Sequence, residues 1–195
     1  DKCEAYNLPQ GVITQLYREI AAKRPGVITK VGMGTFVDPR VEGAKMSPST
    51  KEDIVKVIEL DGEEWLFYKS FPINVGLIRG TVADENGNLT LEKEGLHMEV
   101  LPIAQAVRNS GGIVIAEVES VAKAGTLNPK DIKVPGILVD YIVVSQPENH
   151  FQTENTKYNP AFSGHVKVPL ESVPALPLDE RKVIARRSAA ELVPN

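Results

Sequence analysis

Two hydrophobic periods run along this chain, and they divide it into a helix-and-strand front, a strand-rich middle and a tail with little pattern. From Val12 onward, apolar residues recur at Ile13, Leu16, Tyr17, Ile20 and Ala21, the spacing of one helix face, and the run stops at Arg24-Pro25-Gly26. A short strand is expected before it, over residues 3–7, closed by the turn Leu8-Pro9-Gln10-Gly11, and another after it, over residues 27–31. Strand, helix, strand is the opening of an α/β layer. Residues 55–60 and 63–68 flank Asp61-Gly62, a dipeptide suited to the positive φ angles of a tight hairpin. Within that hairpin Trp65 and Phe67 share a face and are read as cover for a core edge. Residues 74–81 read as a buried strand, and the turn 84–88 opens a second hairpin into Leu89-Thr90-Leu91.

Helical spacing returns at 97–108, where Val100, Ile103, Ala104 and Val107 define a face. Pro102 fits there only if it lies in the first turn, and Gly111-Gly112 supplies the stop. The near-continuous apolar runs 113–118 and 137–144 predict strands buried on both faces, and Asn128-Pro129-Lys130-Asp131 a short helical turn between them. From residue 145 to 178 the pattern decays into a surface excursion or linker. Asp179 is a suitable N-cap for a last helix over 180–193, with Ile184, Ala185, Ala189, Leu192 and Val193 on one stripe. These elements predict an α/β fold, a mainly parallel sheet flanked by helices with inserted β-hairpins. Residues 1–145 form the larger part of a first domain, 146–178 a linker, and 179–195 the first helix of a second.

Composition narrows the function classes. Of 195 residues, 42% are hydrophobic and 25% charged, as in ordinary globular domains, and the net charge is −4. Lys and Arg are scattered, so neither a nucleic acid nor a membrane is an expected partner. Cys3 stands alone, which excludes an internal disulfide and a thiolate zinc site and fits a reduced, cytoplasmic setting. The chain opens at Asp1 rather than Met and is expected to be a piece of something longer.

Candidate chemistry is sparse. His97, His150 and His165 share no metal-ligand spacing; His97 is expected to be structural and the other two to lie in mobile segments. No Gly-x-Ser-x-Gly elbow is present. Glu117 and Glu119 fall two apart on one strand face, but at a strand end the solvated reading is preferred. Gly32-Met33-Gly34-Thr35-Phe36 is the stronger signal, because two glycines at the carboxyl end of a strand let the backbone turn or approach a ligand. It lacks the third glycine and following helix of a dinucleotide fingerprint, which speaks against a nucleotide-binding domain.

Taken in order, LPQG (8–11), VGMGTFVDPR (31–40), EGAKM (42–46), LIRGTVADENGNLT (77–90), NSGGIVIAEVE (109–119) and LNPKDIKVPGILVDYIVV (127–144) resemble family I CoA-transferases of the single-chain acetate/propionate type. The tail 178–192 is similar to the segment that opens the second half of those enzymes. The resemblance implies transfer of CoA from an acyl-CoA to a free carboxylate through a glutamyl-CoA thioester. The nucleophilic glutamate belongs to a glycine-rich context this sequence does not contain, and Glu117 does not match it. No catalytic residue, metal or resident cofactor is therefore assigned, coenzyme A being a substrate. The implied partners are acyl-CoA, short-chain carboxylates, the remaining part of the same enzyme and further copies in a homo-oligomer. Gln10, Gly11, Gly32, Met33, Gly34, Thr35 and Phe36 are the expected substrate-binding residues. A non-catalytic scaffold fragment and a related acyl-CoA hydrolase are the alternatives.

Overall fold

Helix α1 (Gln10–Ala21) buries Val12, Leu16 and Ile20, one residue per turn, and keeps Arg18 and Gln15 in water. The computed structural model describes residues 3–192. The buried stripe of α1 lies on an antiparallel sheet in the order β1 (Gly26–Thr29), β3 (Glu63–Lys69), β2 (Val55–Leu60). Asp61 (φ 53°) and Gly62 (φ 77°) turn β2 into β3 as the Asp-Gly pair requires, and Ile58 pairs with Trp65 across the ladder. Val27, Val55, Leu66 and Tyr68 complete this first core. Burying such side chains stabilises the fold by roughly 1.5–3 kcal/mol each.

A second core lies under helix α2 (Val100–Asn109). The helix connects β4 (Val75–Arg79) to β7 (Ile113–Val118), which pair in parallel, and β10 (Tyr141–Val144) adds to the far side of β7, also in parallel. Contact between helix and sheet is close: a Cβ at Gly76 would meet Val107 Cγ2 at 2.7 Å. Pro102 sits in the first turn of α2, where its missing N–H costs nothing, and Gly111 (φ 79°) follows the Ser110 cap. The two cores meet where α1 packs on α2, with Ala106 in the first core and Arg18 paired to Glu99 at 3.0 Å. A third sheet runs β8 (Ser120–Ala122), β5 (Val82–Asp84), β6 (Leu89–Thr90), β9 (Ile132–Val134), with β8 parallel to β5 and the others antiparallel.

Several expectations need correction. Residues 3–7 contribute one isolated bridge, Tyr6 to Lys45, rather than a strand, and β1 ends at Thr29 instead of Val31. The strand β7 is buried on one face only, because Ile113 is 44% exposed and α2 covers the other side. The run 137–144 is not one buried strand: it divides into a 3₁₀ turn, Gly136–Leu138, and the exposed edge strand β10. Helix α3 (Glu180–Leu192) has its Asp179 cap, with Lys182 N–H donating to Asp179 Oδ1 at 2.7 Å, but none of its residues is buried. Val193, the end of its expected stripe, lies outside the described residues.

Candidate active site

The glycine loop leaves β1 and occupies residues 30–46 as a chain of tight turns. Gly32 takes φ 96° and Gly34 φ 71°, conformations an L side chain rarely adopts. Gly32 is also a close approach: Tyr68 Oη donates to Val31 O at 2.7 Å, and a Cβ on Gly32 would stand 2.5 Å from that hydroxyl. Burial holds the Tyr68 phenol up at about 12, with the Asp38 charge adding to the shift. Thr35 closes the next turn, its N–H and Oγ1 both donating to Gly32 O, at 3.1 and 2.7 Å.

Asp38 anchors the loop from inside. Its carboxylate is 1% exposed and accepts from Gly34 N at 2.9 Å, Arg40 N at 3.0 Å, Arg40 Nε at 3.0 Å and a terminal Arg40 nitrogen at 2.8 Å. The Arg40 guanidinium, with the Gly34 N–H after it, holds that carboxyl well below the usual range. Arg40 reaches on to Glu64 at 2.7 Å, which ties the loop to β3. Sequence reading missed this anchor, although the Asp-Pro-Arg spacing, suited to an Asx-type turn, was a usable signal.

The expected substrate residues fall on the surface around this anchor. Gly34, Thr35 and Phe36 are exposed, and half-buried Met33 packs into the first core. Gln10 and Gly11 are exposed at the start of α1. Their lead-in is stitched to the far end of the loop, since Asn7 N–H donates to Ala44 O and Met46 N–H to Ala5 O, each at 2.9 Å. No hydrogen bond joins Gln10 or Gly11 to residues 32–36 among the described residues. The N–H groups of Met33, Gly34, Thr35 and Asp38 are used within the loop, so the loop offers a ligand shape and apolar contact more than donors.

The carboxyl edge of the parallel sheet is the second place where chemistry collects. Arg79 pairs with Glu117 in register, and Val144 with Val118, so the ends of β4, β7 and β10 lie side by side. The segment 146–164 crosses over them. His150, expected in a mobile stretch, is instead buried at 5% exposure, with Nε2 3.9 Å from Glu94 Oε1 and Nδ1 3.6 Å from Glu117 Oε1. Neither separation is a hydrogen bond, and Nδ1 has no partner. Glu94 accepts from Arg79 Nε at 3.2 Å. Gln152 pins the segment, donating to Lys93 O at 2.6 Å and accepting from Asn159 N–H at 2.7 Å. His165 is also held, by Tyr158 Oη at 2.7 Å. Glu119 pairs with Lys93 at 2.6 Å and lines, with His150, Ser145 and Tyr158, a cavity of about 320 Å³. Among the described residues no group of three or more His, Cys, Asp or Glu side chains stands close enough to hold a metal, and no helix is long and apolar enough to cross a membrane.

The coenzyme A transferase family matches residues 1–145, and the chain belongs to it. It is similar to caffeate CoA-transferase of Acetobacterium woodii, 60% identical over 193 residues, 98% of this chain and 37% of that protein. It is also similar to acetate CoA-transferase YdiF of Escherichia coli O157:H7, 43% identical over 98% of this chain and 36% of that protein. The crystal structure of YdiF as a thioester complex with CoA superposes with a TM-score of 0.87 at 42% identity, covering 97% of this chain and 37% of that one. Glutaconate coenzyme A-transferase of Acidaminococcus fermentans, at 18% identity and TM-score 0.60, shares the fold. The chain thus spans little more than a third of the length of these relatives.

Proposed function

We propose that this chain supplies the acyl-side wall of a short-chain acyl-CoA:carboxylate CoA-transferase whose nucleophilic glutamate lies outside these residues. The observation that carries the reading is the loop 32–36: exposed at Gly34, Thr35 and Phe36, shaped by two positive-φ glycines, and locked from beneath by Asp38. Gln10 and Gly11 open α1, just after the lead-in tied to residues 44 and 46, and Met33 and Phe36 are the side chains that meet the acyl group. A carboxylate is a weak nucleophile toward a thioester, so a transferase gains rate by fixing the acyl carbon against it and excluding water. A rigid wall serves that end without donating hydrogen bonds of its own. Coenzyme A enters as substrate, acyl-CoA and short-chain carboxylates are the partners, and the enzyme is a cytoplasmic homo-oligomer whose second domain follows from α3.

The test uses the complete enzyme with propionyl-CoA and isotopically labelled acetate. The reading expects labelled acetyl-CoA, and expects Gln10→Ala to slow its formation with the fold intact. Free CoA thiol released in the absence of acetate, with no labelled acetyl-CoA in its presence, would make the enzyme a hydrolase. Full transfer after simultaneous change of Gln10 and the 32–36 loop would reduce this chain to a scaffold.

A further inference from the structure

The two glycines of the loop owe their missing side chains to different causes. At Gly32 the fold itself is the cause: φ is 96°, and a Cβ would stand 2.5 Å from Tyr68 Oη and 3.4 Å from Val37. At Gly34 no such neighbour exists, because nothing stands within 4 Å of a Cβ built there, and the residue is exposed. Nor does its φ of 71° demand glycine, since fully buried Ala44 holds φ 65° in the same loop. Of the side chains within three residues that reach the surface, Val31, Met33 and Phe36 are apolar and Thr35 alone is polar. Backbone donors are engaged as well: Met33 N–H goes to Lys30 O, Gly34 N–H to Asp38 Oδ2 and Thr35 N–H to Gly32 O. A bare Cα with no free N–H beside it suits an alkyl chain, whereas a carbonyl oxygen would lose its hydrogen bonds there.

Taking the loop as the acyl-side wall, we infer that Gly34 is the floor of the acyl channel and sets the length of chain the enzyme accepts. An alkyl chain lying over Gly34 Cα comes closer to the backbone by about 1.5 Å, the length of the missing Cα–Cβ bond. That clearance matches one methylene, and one methylene in a fitted pocket changes discrimination by about 10–200-fold. Gly34 and Met33 thus limit the chain in opposite senses. A methyl added at position 34 takes room from the chain, and trimming Met33 to alanine gives room back.

The test measures equilibrium binding of three ligands to the complete enzyme. They are CoA itself and the ketone analogues of acetyl-CoA and butyryl-CoA, in which a methylene replaces the thioester sulphur. Gly34→Ala is expected to weaken the butyryl analogue at least tenfold and to leave the acetyl analogue and CoA within threefold. Gly111→Ala is the control for backbone strain, because Gly111 lies outside the loop with φ 79° and nothing within 4 Å of a Cβ. All three ligands should bind that variant as they bind the wild type. Gly34→Asn repeats the measurement where the alanine variant does not fold, since asparagine enters the left-handed region more readily. An unchanged butyryl analogue, or equal weakening of all three ligands, overturns the inference. Met33→Ala is measured beside it. A shifted butyryl-to-acetyl ratio there, with none in the Gly34 variants, leaves the wall standing and removes Gly34 from it. No shift in either variant overturns the wall and the place of Gly34 in it together. Transfer is read at no step, so a hydrolase would give the same binding result.

Discussion

The glycine loop and the segment over the carboxyl edge of the parallel sheet are both irregular, and both bury a titratable side chain. They differ in how that side chain is satisfied. Asp38 accepts four hydrogen bonds, two of them from backbone N–H groups that define the loop's turns. His150 sits at a similar depth with one ring nitrogen unpartnered and two carboxylates just beyond hydrogen-bond reach. A buried acceptor whose partners are in place fixes geometry, whereas one without partners fixes little and costs its own desolvation. The loop is therefore the built structure of the two, which is why the acyl-side role is placed there and not on the histidine.

The sharpest way to break this contrast is Asp38→Ala. It leaves Gly34 N–H and Arg40 without their acceptor, and the expected cost is about 1–3 kcal/mol in a denaturant titration. The complete enzyme should lose roughly 10²-fold in kcat/KM, as when a reacting group is displaced by about an ångström. Because the folded carboxyl titrates below its ordinary value of 3.8, its contribution is present above that pH and is lost only as pH falls through the lower folded value. The wild-type advantage over Asp38→Ala should accordingly persist at pH 4. Gly32→Ala comes next, at about 1–3 kcal/mol for the positive φ alone. Part of that cost should disappear in a Tyr68→Phe background, where the hydroxyl 2.5 Å from the new Cβ is gone.

Alkaline titration gives a smaller effect. Tyr68 is held up at about 12 against an ordinary 10.0, so its stabilisation is complete below pH 10 and declines as pH rises toward 12. Tyr68→Phe should flatten that decline in a thermal-melt series. His150→Phe is expected to matter least: replacing a poorly partnered ring by an apolar one of similar shape should change stability by less than about 1 kcal/mol. A loss as large as that of Asp38→Ala would erase the distinction between the two regions.

Local signals made much of this legible in the sequence. The hairpin at Asp61-Gly62 and the presence of a strand at 113–118 each depend on residues within a few positions of one another, and both are found. The helix read over 97–108 starts three residues later, at Val100, which puts Pro102 in its first turn. The α/β class followed from their order. What was illegible depended on partners far along the chain. An apolar run cannot say which of its faces a helix will cover, so β7 and the run 137–144 were read as buried twice over. His150 is buried because Gln152 fastens its segment to Lys93, a contact across 59 residues. The loop itself was visible through its glycines, but its anchor was not, because Asp38 acts through bonds that exist only once the turns have formed.

The central claim is that Met33 and its neighbours form the wall an acyl chain meets. It is tested most directly by comparing kcat/KM for acetyl-CoA and butyryl-CoA in the complete enzyme before and after Met33→Ala. Shortening the side chain by three heavy atoms should move the ratio toward butyryl-CoA by roughly tenfold or more, since each methylene in a fitted pocket is worth about 1–3 kcal/mol. A folded variant with an unchanged ratio would contradict the assignment.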